Sequence, residues 1–218
     1  MEKVGNLIKL PPKMGNTQGL NPTLLGNEWW HIEHLNKIGI PKKFRNAEID
    51  KNNSQIQGFL EGRSYYIHGK TGTGKTYLAS ALLVQKAKEY LEKEKINDND
   101  YKSAPLRSRF VFVPDLFIEI RGSFNRPDKP SEEDILHKYR NIQCLALDDI
   151  GAEKTSDWVL ELFESLIDYR NREEKQTVFT SNLDLEKLAK KLGDRIASRV
   201  TEMCKGNVIE IQGRDRRL

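Results

Sequence analysis

Gly69-Lys70-Thr71-Gly72-Thr73-Gly74-Lys75-Thr76 is the stretch that decides the fold. It matches the phosphate-binding P-loop pattern, G-x-x-x-x-G-K-[ST]. Turning several backbone N–H groups toward one anion puts the chain in conformations that glycine tolerates best. Gly69, Gly72 and Gly74 supply that freedom, with Thr71 and Thr73 between them. A helix that starts within the motif adds its N-terminal partial positive charge and unpaired N–H groups. Lys75 can then reach β- and γ-phosphates, and the Thr76 hydroxyl can take one position on Mg²⁺. The alternative, a flexible Gly/Thr loop, is disfavoured by context. Ser64-Tyr65-Tyr66-Ile67-His68 reads as a short buried strand before the motif, and Tyr77-Leu78-Ala79-Ser80-Ala81-Leu82-Leu83 reads as a helix after it.

Composition bounds the rest. A chain of 218 residues is long enough for one α/β domain with a small appendage. Its net charge of +4, from 36 basic and 32 acidic side chains, permits contact with nucleic acid without requiring it. No apolar run approaches the roughly 20 residues needed to span a membrane. Met1-Glu2-Lys3-Val4-Gly5-Asn6 lacks the apolar core of a secretory signal. Cys144 and Cys204 are too few and too far apart for a zinc cluster, and Cys144 lies in an apolar run that suits a buried thiol. Together these features point to the cytoplasm.

Residues 1–36 look unlike the remainder, and the expected division is an N-terminal extension over 1–36 followed by the main domain over 37–218. The extension is rich in turn formers, such as Leu10-Pro11-Pro12 and Asn21-Pro22, until Trp29-Trp30-His31-Ile32-Glu33-His34-Leu35 forms a short amphipathic stretch. Its tryptophans suit either packing on the main domain or docking a partner protein. His31 and His34 have helical spacing but no completing ligands, so a surface position is expected for both. Beyond the P-loop, a helix should run from Lys75 to about Glu94, and Arg109 to Val113 should form a strand. Asp115 should cap a short helix, and Ser131-Glu132-Glu133-Asp134 should open another through a capping box.

The second chemical element follows. Ile142-Gln143-Cys144-Leu145-Ala146-Leu147 reads as an apolar strand ending in Asp148-Asp149. Paired acids at the end of a buried strand make a poor core, because ionised carboxylates resist desolvation. In open α/β sheets, ligands bind at the carboxyl ends of strands. Asp148 is therefore a candidate for the Mg²⁺ shell and Asp149 for the base that activates water. The competing reading is an acidic turn before the helix that begins near Ser156. Gln176-Thr177-Val178-Phe179-Thr180 is a further strand whose polar tip, Asn182, can reach a water or a γ-phosphate, or cap a helix before Leu185. Alternating strands and helices predict a parallel sheet.

Three runs together resemble the bacterial and phage helicase loaders of the DnaC/DnaI type, which are AAA+ ATPases. They are Leu147-Asp148-Asp149-Ile150-Gly151-Ala152-Glu153, Phe179-Thr180-Ser181-Asn182 and Gly193-Asp194-Arg195-Ile196-Ala197-Ser198-Arg199. The resemblance extends over roughly residues 38–218. It implies an α/β fold with an ASCE-type parallel sheet flanked by helices, and ATP with Mg²⁺ as ligands. It also implies slow ATP hydrolysis, self-association, affinity for single-stranded DNA and a DnaB-like replicative helicase as partner. By motif, Lys75 and Thr76 are the P-loop residues, Asp148 and Asp149 the acidic pair, and Asn182 the first sensor. Arg199 resembles the arginine finger presented to a neighbouring subunit, with Arg195 as the alternative. Arg217 resembles the second-sensor arginine, with Arg216 beside it.

Two departures stand out. Asp149 stands where many AAA+ proteins carry Glu, and the N-terminal region lacks the cysteine-rich zinc module of DnaI-like loaders. Other readings remain open: an IstB-type transposition helper with a similar ATPase core, a nucleotide-gated binding module with negligible turnover, or a small-molecule P-loop kinase.

Overall fold

The computed structural model describes residues 8–9, 29–50, 53–94, 105–124, 126, 128–213 and 215. For 8–9 and 29–32 the description is of backbone only. In chain order the strands are β1 (Ile8–Lys9), β2 (Glu48–Ile49), β3 (Tyr65–His68), β4 (Ser108–Phe112), β5 (Cys144–Asp148), β6 (Gln176–Ser181) and β7 (Val208–Glu210). The helices are α1 (Trp29–Lys37), α2 (Ser54–Leu60), α3 (Lys75–Lys93), α4 (Val113–Arg121), α5 (Glu132–Asn141), α6 (Asp157–Arg172), α7 (Leu185–Leu192) and α8 (Asp194–Cys204).

Five strands form one parallel sheet in the order β4-β5-β6-β3-β7. Strand side chains alternate between faces, so a sheet covered on both sides needs apolar residues at successive positions. The sequence meets this requirement. Cys144, Ala146, Val178, Tyr65, Ile67 and Phe110 face a core shared with α1, α2 and α3. Leu145, Leu147, Phe179, Tyr66 and Val111 face a second core with α4 to α8. The result is helix layers on both faces of the sheet. Residues Leu78 to Gln85 of α3 are buried all the way round, as a helix clamped between the sheet and outer segments must be. Each large apolar side chain so enclosed contributes about 1.5–3 kcal/mol.

Helix starts follow capping chemistry. Ser131 accepts from the Asp134 N–H at 3.1 Å while Asp134 Oδ2 accepts from the Ser131 N–H at 2.9 Å, the expected capping box. Ser156 caps α6 through the Val159 N–H, and Asp184 caps α7 through the Lys187 N–H. Asp184 therefore does the capping for which Asn182 is one candidate by sequence. The expected cap by Asp115 is corrected. Phe112 is the N-cap, Pro114 sits in the first turn, and Asp115 lies inside that turn. Proline is accommodated there because the first-turn N–H has no helical partner, so the helix begins earlier than the acid suggests.

The expected surface position of His34 is also corrected. His34 is 2% exposed and Leu35 5% exposed, because the end of α1 packs toward α3. The side chains of His31, Trp29 and Trp30 lie outside the described residues. Cys144 and Cys204 are both buried free thiols, their pKa values pushed up to about 12 by desolvation. No helix among the described residues is long and apolar enough to cross a membrane.

The far end of the sheet is fastened by Arg170, which is fully buried. Its guanidinium donates to the carbonyls of Tyr139 (2.8 Å), Ile142 (2.8 Å) and Gln176 (2.7 Å), and to Thr177 Oγ1 (3.0 Å). These acceptors come from α5, the approach to β5 and the start of β6. One side chain thus fixes the end opposite the P-loop.

Candidate nucleotide site

β3 delivers the chain into the loop at Gly69, and α3 carries it away from Lys75. Between them Gly69 (φ 146°), Gly72 (φ 78°) and Gly74 (φ 109°) all have positive φ. A side chain at Gly69 would also collide with the Ile211 carbonyl oxygen. The Lys75 ammonium is buried and donates to the Gly69 carbonyl (2.9 Å), the Lys70 carbonyl (2.8 Å) and Asn182 Oδ1 (2.8 Å). Thr71 Oγ1 lies 3.4 Å from the same Asn182 oxygen, and Thr73 Oγ1 donates to the Lys70 carbonyl.

The acids close the other side. Asp148 is the last residue of β5 and 4% exposed. Thr180 Oγ1 donates to its Oδ1 at 2.6 Å and Thr76 Oγ1 to its Oδ2 at 3.2 Å. Burial pushes its carboxyl up to about 6, against the pull of the two hydroxyls. Asp149 has φ 62°, a left-handed conformation that Asp adopts more readily than most residues. The turn is fixed by Thr180, whose hydroxyl accepts from the Asp149 N–H (2.9 Å) and whose carbonyl accepts from the Ile150 N–H (2.8 Å). Asn182 Nδ2 then donates to Asp149 Oδ1 at 2.9 Å. Asn182 therefore bridges the P-loop lysine and the second acid through its two amide atoms.

Segments 69–76, 148–149 and 180–182 are thus brought together by the sheet. Thr180 is the member to which sequence reasoning assigned no role. Its signal was present: a polar residue one step before the strand tip, level with the acids on the neighbouring strand. An oxygen set of one carboxylate and one hydroxyl suits a hard divalent cation. The buried Asp148 carboxylate beside the Thr76 hydroxyl has the chemistry to hold one.

The arginines lie elsewhere. Arg195 and Arg199 are four residues apart on α8 and turn toward α6. Arg195 pairs with Glu164 (2.9 Å), and Arg199 pairs with Asp168 (2.8 Å) and Glu202 (2.9 Å). These acids, hydrogen-bonded to Arg199, hold its already basic guanidinium firmly charged. None of these partners belongs to the network around Lys75 and Asp148. Arg216 and Arg217 lie outside the described residues.

No protein-family model matches the chain. It is 29% identical over 178 residues to the replicative helicase loader DnaC of Buchnera aphidicola subsp. Baizongia pistaciae, covering 79% of this chain and 61% of that protein. It is 32% identical over 129 residues to the replicative helicase loader DnaI of Bacillus subtilis, covering 59% of this chain and 36% of that protein. The chain thus spans less than two thirds of the length of these curated relatives. Among solved structures, a DnaI crystal structure superposes with a TM-score of 0.61 at 26% identity, over 84% of this chain and 99% of that one. The DnaC helicase loader gives 0.59 at 28% identity, over 79% and 100%. AMPPCP-bound DnaA from Aquifex aeolicus, at 19% identity and a TM-score of 0.58 over 80% and 51%, shares the fold. The fold is of the AAA+ type, and the resemblance to helicase loaders of the DnaC/DnaI type holds in both sequence and structure.

Proposed function

We propose that the chain is an ATPase that loads a DnaB-like replicative helicase onto single-stranded DNA, with ATP binding and hydrolysis as the switch. The observation that carries this reading is the double bridge at the strand ends, Lys75–Asn182–Asp149 on one side and Thr76–Asp148–Thr180 on the other. The likeness to DnaC and DnaI supplies the partner class.

In this reading the loop N–H groups and Lys75 bind the β- and γ-phosphates. Lys75 exchanges its carbonyl partners for phosphate oxygens. Thr76 and Asp148 would hold Mg²⁺, which would neutralise charge on the phosphates. Asn182 positions the attacking water and Asp149 accepts its proton. The shorter Asp in place of Glu accords with slow hydrolysis, raised by DNA or by assembly. Arg199 reaches the γ-phosphate of a neighbouring subunit, and Arg217 serves as the second sensor. Self-association is therefore part of the proposal, as is a cytoplasmic location.

We also propose that the N-terminal extension docks the helicase. Leu35 and His34 are buried, so the truncation that tests docking leaves α1 in place. A chain lacking residues 1–28 should keep its ATP affinity and lose helicase co-purification. Equal helicase capture by both forms would refute docking through this segment.

The central test is Lys75→Ala. ATP binding should weaken, or turnover fall, at least tenfold, equivalent to about 1.4 kcal/mol. Unchanged binding and turnover would remove the foundation of the proposal.

A further inference from the structure

Beyond the residues that would grip a nucleotide, one more side chain reaches the P-loop, and it carries the wrong charge for a phosphate ligand. A Cβ built on Gly72 would run into the carboxylate of Asp215, touching both of its oxygens and its Cγ. The Asp215 carboxylate therefore lies directly against the loop, in space that only a glycine at position 72 leaves open.

This placement is anchored. After β7 the chain crosses the entrance to the loop at Ile211, which is 2% exposed and belongs to the core beneath α3. The Ile211 N–H donates to the His68 carbonyl at 2.7 Å, and its own carbonyl lies against Gly69. Gln212, Gly213 and Arg214 then lead to Asp215. A side chain on so short a tether meets its site at an effective concentration of order millimolar, with no new contacts needed.

The chemistry of attraction is plain. The loop is built to present backbone donors to an anion, ahead of the N-terminus of α3 and beside the Lys75 ammonium. A carboxylate offers two acceptor oxygens and one negative charge, a small copy of a phosphate's oxygens. The polyphosphate of a nucleotide and the Asp215 carboxylate cannot share this loop, because like charges at contact repel.

We propose that Asp215 is a built-in competitor for the phosphate loop, so that binding a nucleoside polyphosphate displaces the C-terminal segment from Gly72. This inference rests on the nucleotide-binding reading above and adds a regulation to it. Occupancy of the loop by Asp215 lowers apparent nucleotide affinity by the fraction of molecules left open. Nucleotide binding at β3 is thereby converted into a movement of the tail that follows Ile211. The anchored Ile211 marks where that movement stops.

The test measures ATP, ADP and adenosine affinities by calorimetry on the full chain and on Asp215→Asn, which keeps the shape and removes the charge. If the loop is closed in about nine molecules of ten, Asp215→Asn binds ATP and ADP about tenfold more tightly. Adenosine, having no phosphate, should bind both proteins alike. Hydrogen exchange gives an independent reading. Amides of residues 212–215 should exchange faster when ATP is added to the unmodified protein, while those of the P-loop slow. ATP binding that is unchanged or weakened in Asp215→Asn, or slower exchange at 212–215 with ATP, would overturn the inference and leave nucleotide binding intact. Failure of both proteins to bind any nucleotide would instead remove the reading beneath it, and the inference with it.

Discussion

Replacing Asp148 by Asn should make the nucleotide-free protein more stable at neutral and alkaline pH while disabling its chemistry. The magnitude follows from where Asp148 sits. Burial raises its pKa from 3.8 to about 6. A raised carboxyl pKa means that the folded state holds the proton more tightly than the unfolded chain. The associated stability is complete below pH 4 and is lost as pH rises through about 6. By pH 8 the ionised carboxylate costs about 3 kcal/mol, from a shift of roughly two units at 1.36 kcal/mol each. Asparagine escapes that cost. It keeps an oxygen to accept from Thr180, which donates to Asp148 Oδ1 at 2.6 Å. Its amide places a donor where Asp148 Oδ2 accepts from Thr76, and the Thr76 hydroxyl can turn to accept it. Allowing for imperfect geometry, the expected gain is about 2 kcal/mol, or about 4–8 °C in Tm for a chain of this size.

The assay is thermal unfolding of both proteins in chelator without nucleotide, at pH 8 and at pH 5. The advantage of Asp148→Asn should fall to roughly a third at pH 5, where folded Asp148 is largely protonated. With ATP and Mg²⁺ added at pH 8 the order should shrink or reverse, since only the carboxylate gains from a cation. An Asp148→Asn protein no more stable at pH 8, or equally advantaged at both pH values, would refute this account of the buried charge.

Two further outcomes are expected. Arg170→Met would strand the carbonyls of Tyr139, Ile142 and Gln176 away from water; at about 1–3 kcal/mol each, denaturant unfolding should show a loss of about 3 kcal/mol or more, and a loss below about 1 kcal/mol would contradict the role given to this arginine. Arg199→Ala should retain ATP binding and lose stimulated turnover, and mixing it with Lys75→Ala should restore part of the activity, because some interfaces then pair an intact P-loop with an intact arginine; no recovery despite proven co-assembly would confine Arg199 to its bonds with Asp168 and Glu202.

The parts of the site that sequence reveals are those whose chemistry is local. Three glycines, a lysine and a threonine must fall within one short loop to wrap a phosphate, and acids at a strand end announce themselves by breaking an apolar run. Arg170 could not be read in this way, since its acceptors come from three separated segments and a basic residue near a helix end looks like surface. The burial of His34 is hidden for the same reason: it depends on α3, more than forty positions later in the chain. β7 has no local signature, because three residues with only Ile209 buried give too short a pattern to separate from a loop. Asp215 carries no local sign of its position, which is set by the anchoring of Ile211 beside Gly69.

Strand order is the feature that alternation of strands and helices leaves open, and it gives the site its width. Had β5 paired directly with β3, the acids would stand one strand spacing, about 4.8 Å, from the mouth of the P-loop. Lys75 could then form a direct ion pair with an aspartate, closing the space that the proposed phosphate and cation would occupy. β6 lies between them instead, pairing Ala146 with Val178 on one side and Val178 with Tyr65 on the other. The separation becomes about 10 Å. Across it the fold sets neutral side chains: Asn182 joins lysine to acid by its two amide atoms, and Thr180 holds Asp148 and the backbone of Asp149 through one hydroxyl. A neutral bridge keeps the positive and negative groups aligned without letting them cancel. In the proposed reading, phosphate meets the ammonium and a cation the buried carboxylate on opposite sides of this neutral bridge.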